Sequence, residues 1–193
     1  MNIQETQYGL VTDLAVLDAY LSGATVIAFD FETAPAAAWR DDRRAALDPH
    51  RGEIVGISLA VASTMAKNNG YDAIYIPLGH HDPEGVGLNA DAEAVFDFLR
   101  RRLFEHSGVV KVAHNLAFEA KFLLARGIAL VPPVYDTMAA ALLIYRQQGH
   151  FRKLAEVGLK TLARDWWGLN LPSFVDVVGL GSFADLDLSL IHI

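Results

Sequence analysis

With 193 residues, 52% hydrophobic and 20% charged, the chain has the length of one domain and enough apolar material for a buried core, which excludes a disordered protein. The absence of cysteine excludes a disulfide framework, a thiolate metal site and a thiol nucleophile. Sixteen Lys and Arg against 23 Asp and Glu leave a net charge of -7, which argues against a protein that grips long nucleic acid through many phosphates. It leaves room for an enzyme that holds a few nucleotides, or for carboxylates gathered around hard divalent cations.

The chain start lacks a basic segment followed by an apolar stretch, and no apolar run approaches the ~18 residues that span a bilayer. A soluble, unexported chain with no membrane partner is expected, in a cytoplasmic, bacterial or phage-like setting. Residues 25–29, apolar and rich in β-formers after Ser22-Gly23, predict a buried strand. Residues 52–61 and 73–77 predict two more, with the Asn68-Asn69-Gly70 turn signal making them a hairpin and the three strands a meander. Residues 91–106 carry Ala94, Val95, Phe98, Leu99 and Leu103 on a helical stripe, opened by Asn89 or Asp91 and closed by the solvated run Arg100, Arg101 and Arg102.

A buried strand over 109–113, a helix over 118–126 stopped by Gly127 and a short strand at Val134-Tyr135 follow. Two further helices are expected over 137–145 and 153–166, with Trp166 and Trp167 as core and rim. A meander followed by alternating helices and strands implies an α/β fold, a mixed sheet of about five strands with helices on its faces. In such sheets, sites gather at strand carboxyl ends.

Asp30-Phe31-Glu32 ends the first predicted strand, where side chains two apart share a face, their bases roughly 7 Å apart. Two carboxylates there repel each other and lose hydration unless a cation or a proton lies between them. Asp91-Ala92-Glu93 has the same spacing but opens a helix, where residues two apart diverge, so its expected role is capping. Strand context therefore carries the argument, and spacing alone does not. In the stretch from Lys111 to Phe122 a strand ends at His114-Asn115 and a helix begins near Phe118, placing Glu119 at a helix N-terminus beside a second strand end. Capping by Asn115 and dipole complementation by Glu119 would account for that pair without function. A third carboxylate reaching the same sheet edge makes this account less sufficient.

These residues resemble the DEDD-type, DnaQ-like 3′-5′ exonucleases of ribonuclease H-like fold, most closely the proofreading domain of family A DNA polymerases. Asp30-Phe-Glu-Thr33 is similar to the first motif of that family and residues 111–122 to the second. Ile54-Val-Gly-Ile-Ser-Leu-Ala60 with Tyr75-Ile-Pro-Leu-Gly-His80 resembles the intervening hairpin, and Tyr135-Asp-Thr-Met138 the later strand and helix. Leu159-Lys-Thr-Leu-Ala163 with Leu171-Pro-Ser-Phe174 resembles the approach to the third motif, so the likeness runs from Val11 to Phe183.

The resemblance implies that Asp30, Glu32 and Glu119 are catalytic and hold two divalent cations, Mg²⁺ or Mn²⁺, which hydrolyse the terminal phosphodiester of DNA. It implies that Thr33, Asn115 and Phe118 bind the terminal nucleotide of a single-stranded DNA 3′ end. His114 is expected to line the cleft and Asp136 to stand behind it as a supporting acid. A polymerase domain in the intact chain is the implied partner. The family has Asp where this chain has Glu119, and its third motif, a Tyr or His four or five residues before a last Asp, is not found after Lys153. Residues 1–187 are therefore expected to form an exonuclease-like domain that stops short of its fourth acidic ligand, which would lower or abolish activity, and 188–193 a non-native tail. The alternative is a non-catalytic module of the same fold that binds single-stranded ends or braces a polymerase; an RNA-trimming relative is a further rival. His80-His81-Asp82 is expected to be a solvent-facing loop and not a metal cluster.

Overall fold

The structure, a computed structural model, describes residues 7–62, 70–81, 87–150, 153–172, 176, 178–179, 181–186 and 188. Asn68 and Asn69 of the expected turn, Asp82, and most of the C-terminal tail lie outside the described residues; Gly70 has the left-handed backbone (φ +82°) expected of that turn.

Among the described residues six strands form one sheet: β1 (Tyr8–Leu10), β2 (Val26–Pro35), β3 (Gly52–Val61), β4 (Ala73–Pro77), β5 (Val110–Ala113) and β6 (Val134–Asp136), in spatial order β1-β4-β3-β2-β5-β6. β2, β3 and β4 are the antiparallel meander, while β5 runs parallel to β2 and β6 parallel to β5. The sheet exceeds the expected five strands because three residues, Tyr8 to Leu10, pair in parallel with β4. So short a segment has no alternation to betray it.

Helices α1 (Leu14–Leu21), α2 (Ala92–Leu99) and α3 (Ala117–Ala125) contribute to the large core, with α1 adding Leu17, Tyr20 and Leu21, α2 adding Val95, Phe96 and Leu99, and α3 adding Phe122 and Leu123. Asp13 caps α1 through the N–H groups of Ala15 (2.6 Å) and Val16 (3.3 Å). α2 is capped by Asp91, which accepts from Ala94 N–H at 3.1 Å, as expected, and passes into a π-helical turn over Arg100–Phe104 that buries Leu103 and Phe104. Phe29 and Phe31 meet Phe104 and Phe96 edge-on at centroid separations of 5.3 to 6.3 Å, so the apolar side of β2 is fixed by aromatic packing. The other side of that strand is left to Asp30 and Glu32.

Helices α4 (Thr137–Gln147) and α5 (Leu159–Trp167), with the 3₁₀ turn Leu154–Val157, close a smaller cluster of Ala141, Tyr145, Val157 and Leu162. Trp166 donates to the Tyr145 hydroxyl at 3.0 Å, yet Trp166 and Trp167 are 43% and 58% exposed, so neither is the core residue expected from the sequence. Trp166 rests on the Tyr145 ring at the edge of this small cluster and Trp167 on Trp166, at centroid separations of 6.1 and 5.6 Å. Among the described residues no helix is long and apolar enough to cross a membrane.

Candidate active site

The parallel run of β2, β5 and β6 brings three strand carboxyl ends to one edge of the sheet. Ala28 of β2 lies opposite Val112 of β5, so the chain leaving β5 passes beside Asp30 before it enters α3. Glu119 sits in the first turn of α3 and is 1% exposed and Glu32 is half-buried, while Asp30 keeps solvent contact as a residue although its carboxyl is crowded enough to lose hydration. Between Glu32 and Thr33 the β2–β3 register shifts by a bulge, a device that re-aims side chains at a strand end.

The electrostatics report the crowding. Loss of hydration pushes the Asp30 carboxyl up to about 6, against which a hydrogen bond from the Glu119 carboxyl acts in the opposite direction. Glu32 is pushed up to about 7 by desolvation and then by the charge of Asp30, with Lys160 of α5 pulling it down. Burial raises Glu119 to about 8, with Asp30 and Asp136 adding to the rise. Glu119 Oε2 is buried with no hydrogen-bond partner. An orphaned carboxylate oxygen beside two further carboxylates is a donor set suited to a hard divalent cation, which prefers oxygen ligands. Among the described residues, however, no three His, Asp or Glu side chains already stand as a metal-holding group.

A cleft of about 930 Å³ opens next to these groups, lined by Glu32, Thr33 and Phe118 together with Phe31, Arg40 and Phe183. Phe118 is packed against Phe122 at 5.1 Å, and Lys121 Nζ lies 4.6 Å from its ring centre. Asp30, Glu119, His114 and Asn115 do not line this cleft. His114 turns instead toward α4, its Nδ1 2.9 Å from Thr137 Oγ1, and burial holds its pKa below the ordinary histidine value. That contact overrides its expected place in the cleft. Asn115 does not cap α3 with its side chain; it takes a left-handed backbone (φ +66°), a conformation that Asn tolerates, and is exposed.

Asp136 is a structural hub. Its carboxylate accepts from the N–H groups of Asn115 (3.1 Å) and Leu116 (3.1 Å), and from Met138 (2.9 Å) and Ala139 (3.3 Å) at the start of α4. One side chain thereby fixes the turn that carries Glu119 and caps the next helix. Its neighbour Thr137 adds a bond to the Ala113 carbonyl at 3.2 Å.

Sequence reasoning placed Tyr75 and His80 in a hairpin and a loop but gave neither them nor Lys160 a place beside the carboxylates. His80 is 4% exposed, not solvent-facing: its backbone N–H donates to Asn89 Oδ1 at 2.8 Å, and the Asn89 amide returns a bond to its carbonyl at 2.7 Å. A loop histidine is drawn inward here by a partner nine residues away, which local composition cannot reveal. His81 remains exposed.

The family described as 3′-5′ exonuclease matches residues 11–173. DNA polymerase I of Chloroflexus aurantiacus is 30% identical over 183 residues, covering 91% of this chain and 16% of that protein. DNA polymerase I of Rhizobium leguminosarum is 30% identical over 197 residues, covering 96% of this chain and 18% of that one. The chain thus spans less than a fifth of the length of these relatives. Among solved structures, Brucella melitensis NrnC with bound Mg²⁺ shares the fold at a TM-score of 0.51 and 18% identity, over 97% of this chain and 71% of that one. Strand order, the carboxylates at one sheet edge and these matches agree: the chain belongs to the 3′-5′ exonuclease family and has a ribonuclease H-like α/β fold.

Proposed function

We propose that this domain hydrolyses the terminal phosphodiester at a single-stranded DNA 3′ end with the help of two Mg²⁺ or Mn²⁺ ions, as the proofreading part of a DNA polymerase I-type protein. The observation that carries this reading is the convergence of Asp30, Glu32 and Glu119 at one sheet edge with all three carboxyls raised, a strain that a shared cation relieves. These three side chains would hold the ions. Bound divalent ions in such sites supply an activated water and stabilise the leaving oxygen. Thr33 and Phe118, beside Glu32 in the cleft, receive the terminal nucleotide, and the Phe118 ring offers a stacking face that tolerates any base. Asn115 presents its exposed amide at the start of α3, where the strand would pass. His114 bonds Thr137 through Nδ1 and so helps to hold the β5–α3 connection.

One observation favours a second reading, a non-catalytic module that binds single-stranded ends or braces a polymerase: the acidic groups among the described residues are not preassembled as a metal site. The test is incubation of 5′-labelled DNA and RNA oligonucleotides with the chain in Mn²⁺ or EDTA, alongside melting curves in both. Stepwise 3′ shortening of DNA in Mn²⁺ alone, slow because three carboxylates do the work, and a higher Tm with Mn²⁺ are expected. Oligonucleotide binding without shortening, and no Mn²⁺ effect on Tm, would support the module instead.

A further inference from the structure

The carboxylate face of the sheet carries one more group. In the antiparallel register Asp30 lies opposite Ser58, and Ser58 opposite Tyr75; one row along, Glu32 lies opposite Gly56 and Gly56 opposite Pro77. Directly opposed residues share a face, so Asp30, Glu32, Gly56, Ser58 and Tyr75 belong to one side of the sheet. Tyr75 leans along its strand from its own row into the next, because a Cβ built on Gly56 would fall on the Tyr75 hydroxyl. The hydroxyl therefore occupies the space that any residue but glycine would fill. Cross-strand Cβ atoms stand roughly 4.5–5.5 Å apart, which brings the phenol oxygen within the reach of a glutamate side chain at position 32.

The phenol is held there. Its oxygen is 2.7 Å from His80 Nε2, the two rings meet edge-on at 5.6 Å, and His80 is in turn fixed by the reciprocal backbone bonds of Asn89. Tyr75 is 6% exposed, so water does not compete for its hydroxyl. Burial, and secondly the charge of Glu32, push the phenol above its ordinary value and keep it protonated. With one bond made to His80, the hydroxyl retains capacity for a second partner.

We propose that Tyr75 is a positioning residue for Glu32: its hydroxyl, anchored by His80 over Gly56, sets the orientation of the Glu32 carboxylate toward a divalent cation. The proposal rests on the nuclease reading above. Groups that orient a metal-binding carboxylate change metal affinity about 10–100-fold when removed. The test compares the full chain with Tyr75→Phe and Tyr20→Phe by Mn²⁺ binding isotherms and by melting in EDTA. Tyr20 serves as control because its hydroxyl bonds backbone groups away from the carboxylates, among them the carbonyls of Leu59 (3.4 Å) and Asp72 (3.0 Å). Tyr75→Phe is expected to weaken Mn²⁺ binding about tenfold or more while Tm falls by no more than about 4 °C. Tyr20→Phe is expected to lower Tm comparably and leave the Mn²⁺ isotherm in place. Binding by Tyr75→Phe within twofold of the parent, or an equal weakening by Tyr20→Phe, overturns the proposal alone. A parent chain that binds no Mn²⁺ removes the nuclease reading and the proposal with it.

Discussion

Glu119 shows how a single side chain couples stability to the proposed chemistry. Its carboxyl, near 8, and those of Asp30 and Glu32, near 6 and 7, bind protons more tightly in the folded protein than in an unfolded chain, where such groups titrate near 4. The folded state then carries extra protons from about pH 4 to pH 8, and the associated stability is lost as pH rises through the folded values. His80 and His114 act in the opposite sense, since burial lowers their pKa and they favour folding as pH rises toward 6.5. The carboxyl effect is therefore cleanest above pH 7. In EDTA, Tm is expected to fall between pH 7 and 9, and Glu119→Gln to flatten that fall and abolish part of the recovery given by Mn²⁺. A Tm that stays level across this range in the parent chain would contradict the assignment.

Asp136 acts at the same scale by geometry. Asp136→Ala removes four backbone contacts and is expected to cost about 2–4 kcal/mol, read by denaturant unfolding, with Asp136→Asn costing less because one oxygen remains. That Asp30 and Glu32 share one face of β2 was legible in the sequence because strand alternation is local. Tyr75 and His80 were not, since their roles depend on Gly56 and Asn89, which chain folding brings to them.

At the scale of elements, β2 is the organiser. Its ten residues end six positions beyond the expected strand because pairing with β3 continues past the apolar segment to Pro35, which carries the carboxylates out to the sheet edge. The residues over 52–61 and 73–77 read correctly as strands because their apolar patterns are complete in themselves. α1 went unread although Asp13 precedes Leu14, Leu17, Tyr20 and Leu21 at helical spacing, a signal strong enough to have been taken. The π-helical turn after α2 was not readable, for it arises where Leu103 and Phe104 are pulled into the core. Phe104 packs against both Phe29 and Phe31, the residues flanking Asp30. Phe104→Ala is expected to cost about 3–5 kcal/mol and to weaken Mn²⁺ binding by loosening β2, as followed by urea denaturation with and without the ion. Full stability in that variant would show that the aromatic cluster does not hold the strand.

Across the whole molecule, a net charge of -7 coexists with a family whose substrate is a polyanion. Under the proposed function cations would resolve the opposition, because carboxylates collected at one sheet edge would turn an acidic surface into a place where phosphate is tolerated once ions are bound. Arg40 and Arg43 on the cleft wall stand among Glu32, Asp41, Glu53 and Asp185, so the wall carries both signs of charge and acids outnumber arginines there. The decisive measurement is anomalous diffraction from crystals of the chain grown with Mn²⁺. The account predicts manganese peaks at coordination distance from the carboxylates of Asp30, Glu32 and Glu119, with Glu119 Oε2 gaining the partner it lacks. Manganese bound elsewhere, or no peak at this edge of the sheet under saturating ion, would contradict it.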